Sequence, residues 1–258
     1  MKKVFSLLAI AAMVLVACKK NDKPTPTPVD PDPEDPEEEY VAPITIDGDF
    51  ADWAKLPAAN VASATCNADA KYTVLKTVKA YVDEQYIFLY VEYDPTAYDP
   101  EVDWIPFHVY MNADNSAETG GYGDEFAEAD AEWLLETSIT AYDCALFKWW
   151  GEVGSNGWLW TKHDAGLQPE AHSADDGWGA IIPEGQGVGQ SAGDAATGKY
   201  EIAILRPMIE EQVKFADTFT LGFDIQANWS TVGILPNAAI SDDNPNGLAP
   251  KMKVTVVK

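Results

Sequence analysis

Short segments in which apolar and polar residues alternate, each bounded by Gly, Asp, Asn or Pro, recur through most of this chain. Residues 71–82 alternate in this way and residues 86–93 are apolar and aromatic, so the turn residues between them predict a β-hairpin. One short helix is expected at 207–213, because Pro207 suits a first helical turn. Further strands are predicted at 104–111, 132–140, 145–150, 158–161, 200–205, 218–227 and 252–257. The pattern predicts an all-β fold, an antiparallel β-sandwich with a jelly-roll-like arrangement, formed by one domain at 44–258.

The first 18 residues are typical of a signal peptide. Two Lys at positions 2 and 3 precede an apolar stretch at 4–16, which is too short to span a bilayer. The stretch leads into the letters LVAC, which resemble the lipobox of bacterial lipoproteins. The resemblance implies that the signal peptide at 1–18 is cut just before Cys18 and that Cys18 is lipidated. The alternative is an ordinary secretory signal in which Cys18 is incidental.

Residues 19–43 are predicted to be a tether, because they contain seven Pro, the acidic run 37–39 and no apolar pattern that could form a core. This composition favours extended polyproline conformation, with a reach of roughly 80 Å at about 3 Å per residue. Acidic residues near a lipidated Cys resemble the surface-export signal of Bacteroidetes lipoproteins. The resemblance implies an outer-membrane lipoprotein at the cell surface, but Lys19 and Lys20 follow Cys18 directly, which leaves the periplasmic face open.

The net charge of −25 comes from 17 Lys and Arg against 42 Asp and Glu. Such a chain has no basic surface for nucleic acid, and anionic lipid would repel it, so membrane attachment must be covalent or inserted. Residues 80–147 contain 16 Asp and Glu and no Lys or Arg. This concentration of carboxylates in one window points to a bound cation.

Four phrases follow one another along the domain. Residues 44–53 read ITIDGDFADW, and residues 80–91, at the turn of the predicted hairpin, read AYVDEQYIFLYV. Residues 200–204 read YEIAI, and residues 221–228 read LGFDIQAN. In this order they resemble carbohydrate-binding module family 9 and the wider DOMON-like sandwiches. The resemblance implies a sandwich that binds sugar, although the same fold hosts haem and other ligands. The Asp-Gly pair in the first phrase is explained by a turn, and Trp53 is expected in the core.

The nine Trp residues are the strongest indication of a ligand. Residues 146–160 predict two strands around a Gly-rich turn, and alternation would bring three of their indoles onto one face. Such a platform stacks on the apolar face of a sugar ring while polar side chains bind its hydroxyls. Two further Trp in loop-like contexts could add a second wall, and a core role for some Trp stays open. The predicted glycan-binding residues are Trp149, Trp150, Trp158, Trp160, Trp178, Trp229 and Asn228.

The loop after the strand at 104–111 carries oxygen side chains at alternate positions, followed by Gly residues that permit tight turns. Calcium takes six to eight oxygen ligands, and it also occurs in the carbohydrate module that the chain resembles. The loop is not an EF-hand, because Ala117 and Gly123 stand where that motif has Gly and Glu. A solvated loop of Asx-turns is the alternative. The predicted ligands of a structural calcium ion are Asn112, Asp114, Ser116, Glu118, Asp124 and Asp130.

Other chemistries have less support in the sequence. Cys66 and Cys144 could form a disulfide in an oxidising compartment, but the sequence does not show whether they meet. Haem is an alternative that the DOMON resemblance implies. His108 and Met111 would point to opposite faces of a strand and could not ligate one iron together. One of them would need a partner from the remaining candidates, which are His163, His172 and Met208.

No catalytic motif is recognisable, which predicts a protein that is not an enzyme. Glycosidases need two carboxylates across a cleft, and the many acids here make such pairs available by chance, so a glycoside-active enzyme stays an alternative. The Gly-rich stretch 185–193 lacks the phosphate-loop pattern and is expected to be a loop. We expect a lipid-anchored protein that binds polysaccharide or oligosaccharide without chemistry. It would serve polysaccharide utilisation in the cell envelope, beside transporters and hydrolases.

Overall fold

The structure is a computed structural model that describes residues 40–99, 102, 104–140, 143–156, 159–160, 173 and 175–258. Residues 1–39, which include the predicted signal peptide, Cys18 and most of the predicted tether, lie outside the described residues. Residues Ala42–Lys258 fold as one unit. No helix in the described part of the chain is long and apolar enough to cross a membrane.

Twelve strands occur in the described residues of this unit, with one short helix between the ninth and the tenth. The helix α1 covers Arg206–Ile209, with Glu210 as its C-terminal cap, and is shorter than the helix predicted at 207–213. The strands are β1 (Ala62–Thr65), β2 (Leu75–Val82), β3 (Tyr86–Tyr93), β4 (Pro106–Asn112), β5 (Trp133–Ser138), β6 (Ala145–Trp149), β7 (Trp178–Ile182), β8 (Gly189–Asp194), β9 (Lys199–Leu205), β10 (Thr218–Ala227), β11 (Ser230–Leu235) and β12 (Met252–Thr255).

The strands form two antiparallel sheets, which confirms the prediction of an all-β sandwich. The smaller sheet has the order β1-β2-β3-β9-β8, and the predicted hairpin, in which Val82 pairs with Ile87, forms its β2 and β3. The larger sheet has the order β11-β10-β4-β5-β6-β7. The strand β12 also belongs to it, because it pairs with residues 218–221 of β10.

Apolar side chains from both sheets fill one core. In β4, Phe107, Val109 and Met111 are at most 2% exposed and belong to the same cluster as Val78 of the smaller sheet. Fully burying a side chain of this kind contributes roughly 1.5–3 kcal/mol, so a one-residue slip of the strand would be strongly disfavoured. Because side chains alternate along a strand, this register turns His108 to the outer face of the larger sheet.

The Asp-Gly pair at the start of the domain is held to the smaller sheet by Glu201 on β9. The buried carboxylate of Glu201 accepts the N–H groups of Asp47 at 2.8 Å and of Gly48 at 2.7 Å. Gly48 has a φ of +83°, a left-handed conformation that only Gly adopts without steric cost. Trp53 is 6% exposed and clusters with Tyr90, which confirms its predicted core position. The phrase therefore has a structural role that requires no ligand.

The prediction of a loop at 185–193 is wrong. The Gly-rich stretch 185–193 contains β8, which pairs with β9 from Gly189 to Asp194, because a ladder on a neighbouring strand outweighs low strand propensity. Of the strand expected at 158–161, the structure describes only 159–160, where Trp160 forms a bridge with Trp178. Both ends of that segment lie outside the described residues.

The two cysteines of the domain are free thiols, so the disulfide that the sequence left open is absent. Cys144 is buried in the core, where burial raises the pKa of its thiol to about 12. Cys66 is half-buried and accepts a hydrogen bond from Asn237 Nδ2 at 3.4 Å. Two-sheet packing rather than a covalent link therefore holds the sandwich together.

Candidate functional site

A row of three ionisable side chains crosses the outer face of the larger sheet. His108 on β4 is paired in register with Asp224 on β10 and with Glu136 on β5. Its Nδ1 lies 2.6 Å from Asp224 Oδ1, and its Nε2 lies 2.9 Å from Glu136 Oε2. An ionised carboxylate only accepts hydrogen bonds, so a carboxylate at each ring nitrogen favours a proton on both nitrogens, which makes His108 an imidazolium.

The electrostatics of the row agree with this protonation state. Burial lowers the pKa of His108, but the charge and hydrogen bond of Asp224 and those of Glu136 outweigh burial and raise this pKa to about 9. The second oxygen of Asp224 accepts the hydroxyl of Thr231 at 2.8 Å and the amide of Gln226 at 3.3 Å. Asp224 is therefore fixed in place by groups on β10 and β11.

A concave pocket of about 640 Å³ lies above this row, within the size range of small-molecule sites. We call it the acidic pocket. Its charged lining side chains are His108, Asp124, Glu125 and Glu136. Its aromatic lining side chains are Tyr72, Tyr122, Trp160 and Trp229. A concave site with aromatic surface and a few polar groups is what a small polar ligand requires.

Trp229 lies at the tip of the β10–β11 hairpin, which agrees with the loop-like context predicted for it but adds a following strand that was not predicted. The flanking Ala227 and Ser230 pair with each other, and the two residues between them, Asn228 and Trp229, have φ values of 49° and 60°. Positive φ at both residues of a two-residue loop is typical of a type I′ turn, which normally takes Asn-Gly. A left-handed conformation costs a residue with a Cβ roughly 1–2 kcal/mol. The strain and the 70% exposure of Trp229 are therefore unfavourable for stability and typical of a functional position.

Trp160 is the second exposed indole of the acidic pocket, with 48% of its surface accessible. Its ring centroid lies 5.0 Å from that of Phe147, and its backbone bridges to Trp178 at the start of β7. These contacts position the indole while leaving much of its surface open. The structure therefore brings two of the predicted glycan-binding Trp, Trp160 and Trp229, into one pocket.

Three other predicted Trp do not line the acidic pocket, so neither Trp149 nor Trp150 supplies the third indole of the expected platform there, and Trp178 does not form the expected second wall. Trp149, Trp150 and Trp178 are 5%, 3% and 1% exposed. A Cβ at Gly121 or Gly151 would clash with the ring of Trp149, which shows how closely backbone packs around it. The apolar surface of an indole favours burial when loops can cover it, as they do here. Trp158 lies outside the described residues.

Asn228 and an unpredicted indole belong to a neighbouring pocket of about 480 Å³. This second pocket is lined by Trp104, Tyr98 and Asn228, and it shares Trp229 with the acidic pocket. Trp104 is 39% exposed. The sequence placed Trp104 in a strand, whereas β4 begins only at Pro106, so the indole precedes the sheet.

The structure links four of the six predicted calcium ligands, Asn112, Asp114, Ser116 and Asp130, by hydrogen bonds among themselves, and it places Asp124 elsewhere. The amide of Asn112 donates to Asp130 at 2.7 Å, and Asp130 also pairs with Lys251 at 2.5 Å. Asp114 accepts the N–H of Ser116 at 2.9 Å in an Asx-turn, and Asp124 lines the acidic pocket. The described residues contain no group of three or more His, Cys, Asp or Glu side chains placed to hold a metal ion. Calcium therefore stays a prediction of the sequence pattern, including its candidate Glu118.

Glu125 is a pocket carboxylate that the sequence reasoning did not select. Burial raises its pKa, as do the charges of Asp224 and Asp124, while the Tyr122 hydroxyl at 2.8 Å and the charge of Lys71 lower it. The sequence reasoning also missed Glu136 and Gln226 as pocket groups and Asp224 as the buried partner of His108. The available signal was polar side chains inside predicted strands, at positions that alternate with the core.

The geometry tests one part of the haem alternative, namely that His108 and Met111 could not ligate one iron together. His108 and Met111 do face opposite sides of β4, and His108 is occupied by two carboxylates. His163 and His172 lie outside the described residues.

Comparison of the chain with protein-family models, with curated proteins and with solved structures found no match.

Proposed function

We propose that this chain binds a glycan in the acidic pocket and performs no chemistry on it. The observation that carries the proposal is the presence of two exposed indoles, Trp160 and Trp229, in one pocket with a polar floor. An indole face matches the apolar C–H face of a sugar ring. Carboxylates and the amide of Gln226 supply hydrogen-bond partners for its hydroxyls.

The strained position of Trp229 supports the same proposal. Gly would relieve the left-handed backbone of the hairpin tip, yet the chain places its largest side chain there and leaves it 70% exposed. A strained and exposed indole does not stabilise the fold. It favours ligand binding, because a rigid aromatic surface offers large contact area at low entropic cost.

Affinity electrophoresis against a polysaccharide panel, followed by calorimetry with oligosaccharides, tests the proposal. We expect retardation on at least one glycan, with a loss of binding in Trp229→Ala and Trp160→Ala. Trp104→Ala is the matched control, since it removes an exposed indole of the neighbouring pocket and should retain binding. Absence of retardation on every glycan, or equal binding by all three variants and the wild type, would refute the proposal.

A second candidate is glycoside hydrolysis in the same pocket, and one observation favours it. Glu125 and Glu136 line the pocket together, and burial raises the pKa of Glu125, as a general acid requires. This function predicts release of reducing sugar from the glycan panel and its loss in Glu125→Gln. Binding without release of reducing sugar would decide for the first proposal.

We further propose that the domain is presented on the outer membrane by a lipid at Cys18, with 19–43 as spacer. The support is the LVAC sequence and the Pro-rich composition after it. In this setting the domain would capture glycan beside transport and hydrolase proteins of the envelope. Fractionation of cells expressing the wild type and Cys18→Ser tests the anchor: only the wild type should sediment with membranes. Equal release of both proteins into the soluble fraction would refute it.

A further inference from the structure

The charge of the acidic pocket narrows the class of sugar that it can accept. Three lining carboxylates, Asp124, Glu125 and Glu136, face one imidazolium, His108. That imidazolium is already shared with Asp224 beneath the pocket, which is 1% exposed. Among the described residues that line the pocket, none is Lys or Arg. The pocket therefore has an excess of negative charge close to its aromatic surface.

The nearby basic side chain does not remove this excess. The ammonium of Lys71 lies 4.6 Å from the ring centroid of Tyr72, and its charge acts on Glu125. Even so, burial and the charges of Asp224 and Asp124 outweigh Lys71, since the pKa of Glu125 is raised. The carboxylates of the pocket thus repel one another, and a cation from a ligand would relieve that repulsion.

The aromatic groups favour a cation as well. The face of an indole carries a negative quadrupole potential and attracts ammonium groups more strongly than other side-chain rings do. Trp160 and Trp229 present such surface at 48% and 70% exposure in the same pocket. Carboxylates and exposed indoles in one cavity therefore act in the same direction on the charge of a ligand.

We infer that the acidic pocket takes a sugar that carries a free amino group, with the ammonium toward Glu125 and Glu136 and the ring against an exposed indole. This inference rests on the proposed glycan-binding function and names its ligand class. The ammonium forms charge-assisted hydrogen bonds with the carboxylates, whereas an N-acetyl group lacks the charge. A uronic acid would place its carboxylate among like charges and is excluded.

Calorimetry with three short oligosaccharides tests the inference. The measurements are made at about pH 6, where a sugar amine is protonated. One carries free amines (glucosamine), one carries N-acetyl groups, and one consists of uronic acid. We expect the free-amino sugar to bind about tenfold or more tightly than the N-acetylated one, the gain typical of a hydrogen bond to a charged group. Binding of the uronic acid should not be measurable. Equal or tighter binding of the N-acetylated or acidic sugar would overturn the inference.

Matched variants separate the pocket from the acidity of the whole chain. Glu136→Gln and Glu125→Gln keep a hydrogen-bond acceptor but remove one charge each, and we expect both to reduce the preference for the free amine severalfold. Glu211→Gln removes the same charge from an exposed site outside the pocket and should keep the preference. An equal reduction in Glu211→Gln, or equally tight binding of ethanolamine, would overturn the inference, because nonspecific attraction to an acidic protein would explain both.

The failure of the inference differs from the failure of the proposed function. Neutral sugars that bind in a Trp229-dependent manner, without preference for a free amine, would refute the ligand class and leave glycan binding intact. No binding of any of the three sugars, together with no retardation on the polysaccharide panel, would refute both.

Discussion

The carboxylate–imidazolium row should make the stability of the fold depend on pH above neutrality. The pKa of His108 is raised to about 9 in the folded chain, against an ordinary value of about 6.5 in the unfolded chain. A raised pKa stabilises the fold fully below about pH 6.5, and the stabilisation is lost as the pH rises through about 9. The difference of about 2.5 units corresponds to about 3 kcal/mol at roughly 1.36 kcal/mol per unit.

Urea unfolding from about pH 6 to about pH 9.5 measures this contribution. We expect the unfolding free energy of the wild type to fall by about 3 kcal/mol more over this interval than that of His108→Gln. Glu136→Gln should lie between the two, because one charged partner of the imidazole remains. The window ends below the titration of the buried Tyr110 and Tyr122, whose pKa values are raised by burial.

Imidazole titration by nuclear magnetic resonance provides a direct check. The chain has three His, and His108→Gln identifies the resonance of His108 by its loss. A His108 that titrates near about 6.5, or parallel pH profiles for the wild type and His108→Gln, would refute the assignment of an imidazolium between two carboxylates.

Three further predictions concern stability. Glu201→Ala leaves the N–H groups of Asp47 and Gly48 without their buried acceptor, so the free energy of urea unfolding should fall by about 1–3 kcal/mol. Glu201→Gln should lose less, and equal stability of both variants and the wild type would contradict this role. Trp229→Gly should raise the free energy of unfolding by about 1 kcal/mol, because Gly relieves the left-handed strain at the hairpin tip. The same variant should lose glycan binding with the indole. A destabilised variant would show that the indole serves the fold. Removal of calcium by a chelator should lower the melting temperature if the loop at 112–130 holds the ion, and calorimetry that shows no change would end the calcium prediction.

Strand alternation made most of the sandwich predictable. The hairpin of β2 and β3 and the strands β4, β5, β6, β9, β10 and β12 coincide with alternating segments, because burial of one face leaves a period of two in the sequence. Four strands escaped, namely β1, β7, β8 and β11. They are short or rich in small residues, and each is stabilised by the ladder of its neighbour more than by its own propensity.

Burial of indoles was not predictable from the sequence. Trp178 follows an Asp-Asp-Gly run and suggests a loop, yet it begins β7 and is 1% exposed. Trp229 follows a strand and is 70% exposed. Both contexts look alike locally, and only the loops that cover the outer face of the larger sheet separate them, since Tyr122 and Phe126 pack with Trp178 in one cluster.

The sequence by itself determined the all-β class, because an alternating pattern can bury only one face of a strand, and it placed Trp229 in a loop directly after the strand at 218–227. Tertiary structure alone decided the composition of the acidic pocket and of the charged row beneath it. Asp224 and His108 lie 116 positions apart, and they meet because β10 pairs with β4 in a register that brings both outward at one point. A local pattern states which side of a strand a residue takes, whereas the order of strands in a sheet states which residues become neighbours.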